Sequence, residues 1–489
     1  MTTIGTNPFQ QWAATTTGLR QPFPIRSEEV IREALPPHLI PEGFDGKSLP
    51  MTYLDSTAST QQSGIARTTI DRLPYANTHS ANYPSAEVMT YAYEQAHEAV
   101  LAFVGANPKT HRTVFLGSGA TTAINRVARN LFMNPSTDRR GTVLFSEMEH
   151  HANMLPWKKY APNTIAVEVN PKTGTLSVDA VKAQLNWRRE SVRLVAITLV
   201  SNVTGIVNNV AEIARIAHER GIEVLVDAAQ GLVHHWGINM QAMGIDYLVA
   251  SGHKAYVRRS PGVLVMPRNA SPQNPDEMGG GIVKFVRLDA YKLAEDREEA
   301  GTPNSLGAIG LAANLEALQK IGMQNVWDHE LELTRRLLAG LAVFPEVTIY
   351  GDTNLARTLR AGVVSFNVEN LYHAVVSKAL ADYFNMPTRN GCFCAQPYVT
   401  RLLGVTAEQQ AIFEKAVDDG DSSNTPGMVR ASLGIYTSAE DIDRSLAVMA
   451  WIIKNRKRIR EEYYVDSHGS ALRRDGWRSI DPKNYSPIQ

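Results

Sequence analysis

Asp227 and Lys254 are the residues whose types and setting point most directly to chemistry. Asp227 closes the apolar run Val224-Leu225-Val226 and opens Asp227-Ala228-Ala229-Gln230. Lys254 closes Ser251-Gly252-His253-Lys254, just after the apolar run Tyr247-Leu248-Val249-Ala250. Apolar runs that end at polar groups are how an open α/β sheet delivers side chains to a crevice at the carboxyl ends of its strands. A lysine there can form a Schiff base, and an acid can keep a pyridine nitrogen protonated so that the ring acts as an electron sink. The pair therefore describes a site for pyridoxal 5′-phosphate (PLP). In isolation, Lys254 also reads as a surface lysine in a loop, and Asp227 as a helix cap or metal ligand. The ordered set Asp227, Gln230, Ser251, His253 and Lys254 carries the chemical reading.

Further segments fit the same site, each with a plainer alternative. Gly117-Ser118-Gly119-Ala120-Thr121-Thr122 opens a predicted helix, and free N–H groups at such a terminus suit a phosphate. It is equally a simple strand–helix turn. In Glu149-His150-His151-Ala152-Asn153, a histidine can stack on a pyridine face and move protons, or belong to a polar loop. A metal reading needs a third ligand at fixed spacing, and the sequence offers none. Asn202 and Gln230 can each hydrogen-bond the ring's phenolate oxygen; Asn202 is otherwise a turn residue. Arg430 can fork onto a carboxylate or form a structural salt bridge. Arg389-Asn390-Gly391-Cys392-Phe393-Cys394 holds both cysteines of the chain. Two unpaired cysteines in a polar segment are candidates for thiolate chemistry, or a pair of half-buried small hydrophobes.

An alternation of elements must position these groups. Strands are predicted at Thr113–Leu116, Thr142–Phe145, Thr164–Val169, Arg193–Val200 and Glu223–Val226, with helices at Val88–Val104, Thr121–Leu131 and Val210–Arg220. Such βα alternation predicts an α/β fold with a mostly parallel sheet. Helices at Ser305–Ile321 and Val326–Leu341 lead into a smaller α+β unit with strands at Val347–Tyr350 and Ala361–Asn367 and a closing helix at Ala439–Lys454. The expected organisation is an N-terminal arm (1–50), a large domain (51–310), a small domain (311–455) and a tail (456–489) that is irregular, docked or mobile. The length of 489 residues suits that count.

Composition excludes several classes. Hydrophobic content of 44% and charged content of 20% are those of an ordinary globular protein. Lys plus Arg and Asp plus Glu number 49 each, which gives no electrostatic reason for nucleic-acid or anionic-membrane binding. No apolar run approaches the ~18 residues of a membrane span. Met1–Gln11 lacks the basic and apolar parts of a secretory signal, and two cysteines exclude a disulfide framework, so a reducing cytoplasm is expected.

From about Met51 to Ile453 the chain resembles class V aminotransferases, which have the type I PLP fold, and within them the cysteine desulfurase and selenocysteine lyase branch. The motifs carrying the resemblance include Tyr53-Leu54-Asp55, Asn77-Thr78-His79, Gly119-Ala120-Thr121, Glu149-His150-His151-Ala152-Asn153, Ser201-Asn202-Val203-Thr204-Gly205, Asp227-Ala228-Ala229-Gln230, Ser251-Gly252-His253-Lys254, Ala300-Gly301-Thr302-Pro303-Asn304, Arg389 to Cys394 and Arg430-Ala431-Ser432. The resemblance implies that Lys254 is the Schiff-base lysine, Asp227 the pyridinium partner and His150 the stacking ring. Asn202 and Gln230 would face the ring hydroxyl, while the backbone of Ala120 and Thr121 with Ser251 and His253 would hold the phosphate. Thr302 would reach the phosphate of a neighbouring subunit, implying a homodimer with shared sites. Arg430, His79 and Arg389 fall on the substrate side, and Cys394 where desulfurases carry the cysteine that takes sulfur as a persulfide.

The pattern departs from the family at His79-Ser80-Ala81, where an arginine often follows the histidine, and at Val257-Arg258-Arg259-Ser260-Pro261 after Tyr256. Arg258 and Arg259 are a surface feature or meet an anionic substrate or partner. The leading expectation is release of sulfur from L-cysteine as a Cys394 persulfide with formation of alanine, the sulfur passing to an acceptor protein. The alternative is a PLP-dependent C–S or C–Se lyase, or another amino-acid-modifying enzyme of a dedicated pathway, that uses no persulfide. A non-catalytic scaffold would have lost the lysine or the acid, and both are present.

Overall fold

The computed structural model describes residues 51–478, apart from Tyr75, His79, Ala81, residues 135–137, Arg189, Arg259, Gln273, Asn274 and Asp296. The predicted arm (1–50), the substrate candidate His79, Arg259 and the last residues of the tail lie outside the described residues.

Strands β1 (His111–Leu116), β2 (Thr142–Ser146), β3 (Asn163–Val167), β4 (Val192–Thr198), β5 (Glu223–Asp227), β6 (Tyr247–Ser251) and β7 (Gly262–Pro267) form one sheet in the order β1-β7-β6-β5-β4-β2-β3. Pairing is parallel from β6 through to β3, and antiparallel where β7 meets β6 and β1. Helices cover both faces, so the central strands are apolar on both sides rather than alternating. Val195 and Ile197 pack into one core, Leu194 and Ala196 into the other, as the two-residue side-chain period requires. Each such buried aliphatic side chain contributes roughly 1.5–3 kcal/mol. Strand order reverses between β2 and β4, which opens a crevice beyond their carboxyl ends.

A surface hairpin follows, β8 (Val283–Val286) with β9 (Tyr291–Leu293). The long helix Ser305–Ile321, capped by the Asn304 side chain, packs on the helices Pro84–Phe103 and Gly64–Arg72. A second sheet, fully antiparallel, has the order β10 (Val347–Ile349), β11 (Val363–Val368), β13 (Met428–Ser432), β12 (Arg389–Gly391). Its apolar face, with Val364, Phe366, Val429 and Ala431, shares a core with helices His373–Phe384 and Ala439–Lys454.

The sequence-predicted strands and helices fall within these elements, with ends moved by a few residues. The tail is a clear correction. The expectation of irregular chain from residue 456 fails, because residues 456–473 form a helix (Arg456–Glu462) and a hairpin of β14 (Tyr463–Val465) with β15 (Ala471–Arg473). The charges that suggested an irregular tail satisfy one another. Arg473 pairs with Asp475 at 2.6 Å and with Glu462 at 3.4 Å, and its guanidinium lies over the rings of Tyr383, Tyr463 and Trp477. Among the described residues, no helix is long and apolar enough to cross a membrane.

Candidate active site

The carboxyl ends of β5 and β6 set one wall of the site. Asp227 is the last residue of β5, and Ser251 ends β6 just before the single turn Gly252–Lys254. Strand pairing fixes both backbones, with Asp227 in register with Val249. The first turn of helix Gly119–Phe132 comes against this wall. Ala120 N donates to Ser251 Oγ at 2.8 Å. Gly119 has φ +60°, and a Cβ there would lie 2.6 Å from Ser251 Oγ, so only glycine permits the approach. The result is a helix N-terminus pressed onto a strand end, the arrangement suited to an anion.

The other wall comes from the reversal of strand order and from the second sheet. His150 follows β2, Asn202 follows β4, Arg430 is central in β13, and Arg389 is its register partner in β12. Cys394 lies just past β12. All these groups enclose one cavity of about 600 Å³. Lys254, Asp227, Ser251, His253, Ala120 and Thr121 line its first side. His150, Asn202, Gln230, Arg389, Cys394 and Arg430 line the second. Thr302 does not line it; that residue is exposed on the surface of its own chain. Arg258 is exposed as well and takes no part in the lining.

Burial dominates the electrostatics. It pulls the Lys254 ammonium down to about 8, with Asp227 and Cys394 acting in the opposite sense and Arg430 in the same one. Burial also raises the Asp227 carboxyl, against the hydrogen bond from Ala229 N and the Lys254 charge. His150 is pulled down to about 4 by burial and then by Lys254, and its Nδ1 accepts from Ala152 N at 3.0 Å. It is therefore a neutral ring with its proton on Nε2. His253 is likewise held near 4 by burial, with Nδ1 bonded to Ser59 Oγ at 2.8 Å. Gln230 Nε2 donates to Thr57 O, which leaves Oε1 buried with no hydrogen-bond partner among the described residues. Arg430 is 3% exposed; it donates to Asn202 O at 2.9 Å and meets Asp55 Oδ1 at 3.2 Å, while its buried Nε has no hydrogen-bond partner among the described residues.

The match to known proteins agrees with this geometry. The family model described as "Aminotransferase class-V" matches residues 52–445. The chain belongs to the class V aminotransferase family. Curated class V relatives named cysteine desulfurase, from Escherichia coli O9:H4 (strain HS) and Shigella sonnei (strain Ss046), are each 32% identical over 437 residues, covering 87% of this chain and 95% of the relative. The apo structure of a cysteine desulfurase from Thermococcus onnurineus NA1 superimposes with a TM-score of 0.72 at 31% identity, covering 82% of this chain and 94% of that one. The Escherichia coli cysteine desulfurase CsdA, in its S-sulfonic acid form, gives 0.68 at 27% identity, with 83% and 95% covered. Class V aminotransferases use PLP, the cofactor that the Asp227–Lys254 pair suggested. The hairpin β14–β15 lies beyond the class V match.

Several contributors were quoted within motifs but given no role by the sequence. Asp55 holds Arg430 across the cavity wall. Glu149 is fully buried beneath His150 in sequence; it accepts from Ser146 Oγ and Asn153 Nδ2, each at 2.6 Å, and burial pushes it up to about 8. His151 contacts the segment that carries Cys394. An acid three residues past the end of an apolar strand was the available signal for Glu149.

Proposed function

We propose that this enzyme is a PLP-dependent cysteine desulfurase that takes sulfur from L-cysteine onto Cys394 and leaves alanine. The observation that carries the reading is that Lys254, Asp227, Arg430 and Cys394 line one cavity, although they come from two sheets.

The residues present fit PLP. The Gly119–Ala120 backbone against Ser251 makes an anion cradle that a side chain would fill. The orphaned Gln230 Oε1 is an acceptor for a ring hydroxyl. Asp227 would hold the ring nitrogen, His150 would lie on the ring face, Ala120, Thr121, Ser251 and His253 would hold the phosphate, and Lys254 would carry the covalent link. When bound, PLP supplies an electron sink that makes the substrate's Cα proton acidic.

The chain's own groups do the rest. Lys254 Nζ, depressed to about 8, releases and recovers a proton near neutral pH, which suits it to move the substrate's proton. Arg430, fixed by Asp55 and Asn202 O, offers its unpartnered Nε edge to the substrate carboxylate. Arg389 is exposed at the mouth and adds positive charge there. Cys394 Sγ takes the sulfur: an S–S bond forms as the substrate's Cβ–S bond breaks, and the carbon gains a proton to become alanine. The persulfide then passes to an acceptor thiol.

Two further parts of the reading rest on the surface. Phe285, Val286, Leu288 and Tyr291 are exposed on the β8–β9 hairpin, and Thr302 faces away from its own cavity. Both fit a homodimer in which Thr302 serves the partner's phosphate. Two free cysteines, one of them exposed, suit a reducing cytoplasm. The deciding experiment is Cys394→Ala. Sulfide and alanine formation from cysteine under reductant should fall below about one per cent of the parent rate, with the PLP absorbance retained. Full activity in that variant would overturn the sulfur-carrier role and favour a lyase that needs no thiol.

A further inference from the structure

Phe393 and Cys394 are consecutive non-glycine residues at φ +54° and +55°. That left-handed backbone is unfavourable for residues with a Cβ, and it persists only where the surroundings over-determine it. The surroundings here are specific. Asn202 Nδ2 donates to Phe393 O at 2.7 Å, and His151 N donates to Cys394 O at 2.6 Å. Two residues further on, Gln396 N donates to His151 Nε2 at 3.1 Å.

That last bond is a helix cap supplied from a distant part of the chain. Gln396 begins the helix Gln396–Leu403, whose own N-cap position is Ala395, with no side chain able to cap. His151, 245 residues earlier, provides the acceptor instead. A backbone N–H can only donate, so Nε2 must be unprotonated; burial and the Lys158 charge both lower the His151 pKa, which keeps it so.

Both holding groups are themselves anchored. Asn202 sits in a turn whose carbonyls are taken in succession by the second sheet and the chain before it. Arg430 donates to Asn202 O, Ser365 Oγ to Val203 O, Arg360 Nε to Thr204 O and Ala361 N to Gly205 O. The helix behind Cys394 is tied at Tyr398, whose hydroxyl donates to Gly174 O at 2.6 Å.

We propose that His151 is a positioning residue for sulfur transfer. Its imidazole caps the helix behind Cys394 and, with the Asn202 amide, locks the cysteine segment in the left-handed conformation that sets Cys394 at the cavity. The inference rests on Cys394 being the sulfur carrier. It adds to the ring-hydroxyl contact that the family resemblance implied for Asn202, because one N–H of that amide is committed to Phe393 O.

The test compares His151→Ala, His151→Gln and Cys394→Ala in the PLP-loaded full chain. His151→Ala should lower kcat by about 10- to 100-fold through displacement of the sulfur acceptor, leaving KM and PLP absorbance unchanged. It should also speed alkylation of Cys394 by iodoacetamide. His151→Gln, whose amide oxygen can accept from Gln396 N, should recover most of the rate. A His151→Ala enzyme within twofold of the parent, beside an inactive Cys394→Ala, overturns the positioning role and leaves the desulfurase reading standing. Loss of PLP absorbance in both His151 variants overturns it too, since the residue would then be structural. A fully active Cys394→Ala removes the reading on which the inference rests.

Discussion

Asp227 closes β5 and Lys254 lies in the single turn after β6, two strands whose pairing on both sides fixes the backbone that leads into the site. Cys394 faces them from a loop past β12, in a conformation its residue type disfavours, held by hydrogen bonds from His151 and Asn202. The first wall is set by register, which a point mutation does not move. The second is set by a few polar contacts, of which those from the Asn202 amide and the His151 imidazole are removable. A group that must hold a proton at one place is well served by the first kind of support. The proposed sulfur acceptor depends on the second, because a disfavoured backbone persists only while the contacts that enforce it hold.

The sharpest way to test the rigid wall is at its lysine. Lys254→Ala removes the proposed proton carrier and leaves the strand ends as they are. Alanine production from cysteine should fall by at least about 10³-fold, while the circular dichroism spectrum stays that of the parent. If Cys394→Ala and Lys254→Ala both retained the parent rate, neither wall would take part in the chemistry. A Lys254→Ala enzyme that keeps its rate while Cys394→Ala loses it would place the chemistry on the cysteine side alone.

A smaller effect is expected beneath the rigid wall, at Glu149. Its folded-state pKa is raised to about 8, chiefly by burial and also by Asp227, above the ordinary carboxylate range. A raised acid is satisfied in the folded chain while protonated. Its contribution is therefore complete below about pH 4.5 and is lost as the pH rises through about 8. Glu149→Gln keeps the shape without the charge, its Oε1 accepting from Asn153 Nδ2 and its Nε2 donating to Ser146 Oγ, which turns that bond round. The parent melting temperature should fall from pH 6 to 9 by roughly a few degrees more than that of the variant. Parallel curves would show that Glu149 carries its charge at no cost to the fold.

The difference between the walls also explains what the sequence disclosed. Parallel strands buried on both faces leave unbroken apolar runs, and polar residues at their ends mark a crevice; Asp227, Ser251 and Lys254 were legible for that reason. The βα alternation gave the sheet, although β7 passed unassigned because antiparallel insertion next to β1 leaves no local mark. The cysteine wall was legible only as a motif. Nothing in Gly-Cys-Phe-Cys announces two left-handed residues, since neither is Gly, Asn or Asp. The partners that enforce that conformation lie 191 residues before Phe393 and 245 residues before Gln396, beyond the reach of spacing rules. The tail misled for a related reason, as Arg473 is buried against Glu462, Asp475 and three aromatic rings instead of facing water.

The smallest expected effect separates the two cysteines of the loose wall. Cys392 is half-buried and packs with Met148, Phe393 and Tyr398 in an apolar cluster, while Cys394 is exposed to the cavity. One residue apart, they face different surroundings, so Cys392 behaves as a small hydrophobe and Cys394 as the thiol. Cys392→Ala should keep kcat within about twofold and cost about 1 kcal/mol of stability, read from a urea melt. If it instead slowed turnover as Cys394→Ala does, Cys392 would share the sulfur step, and the loop would present two thiols to the cavity instead of one.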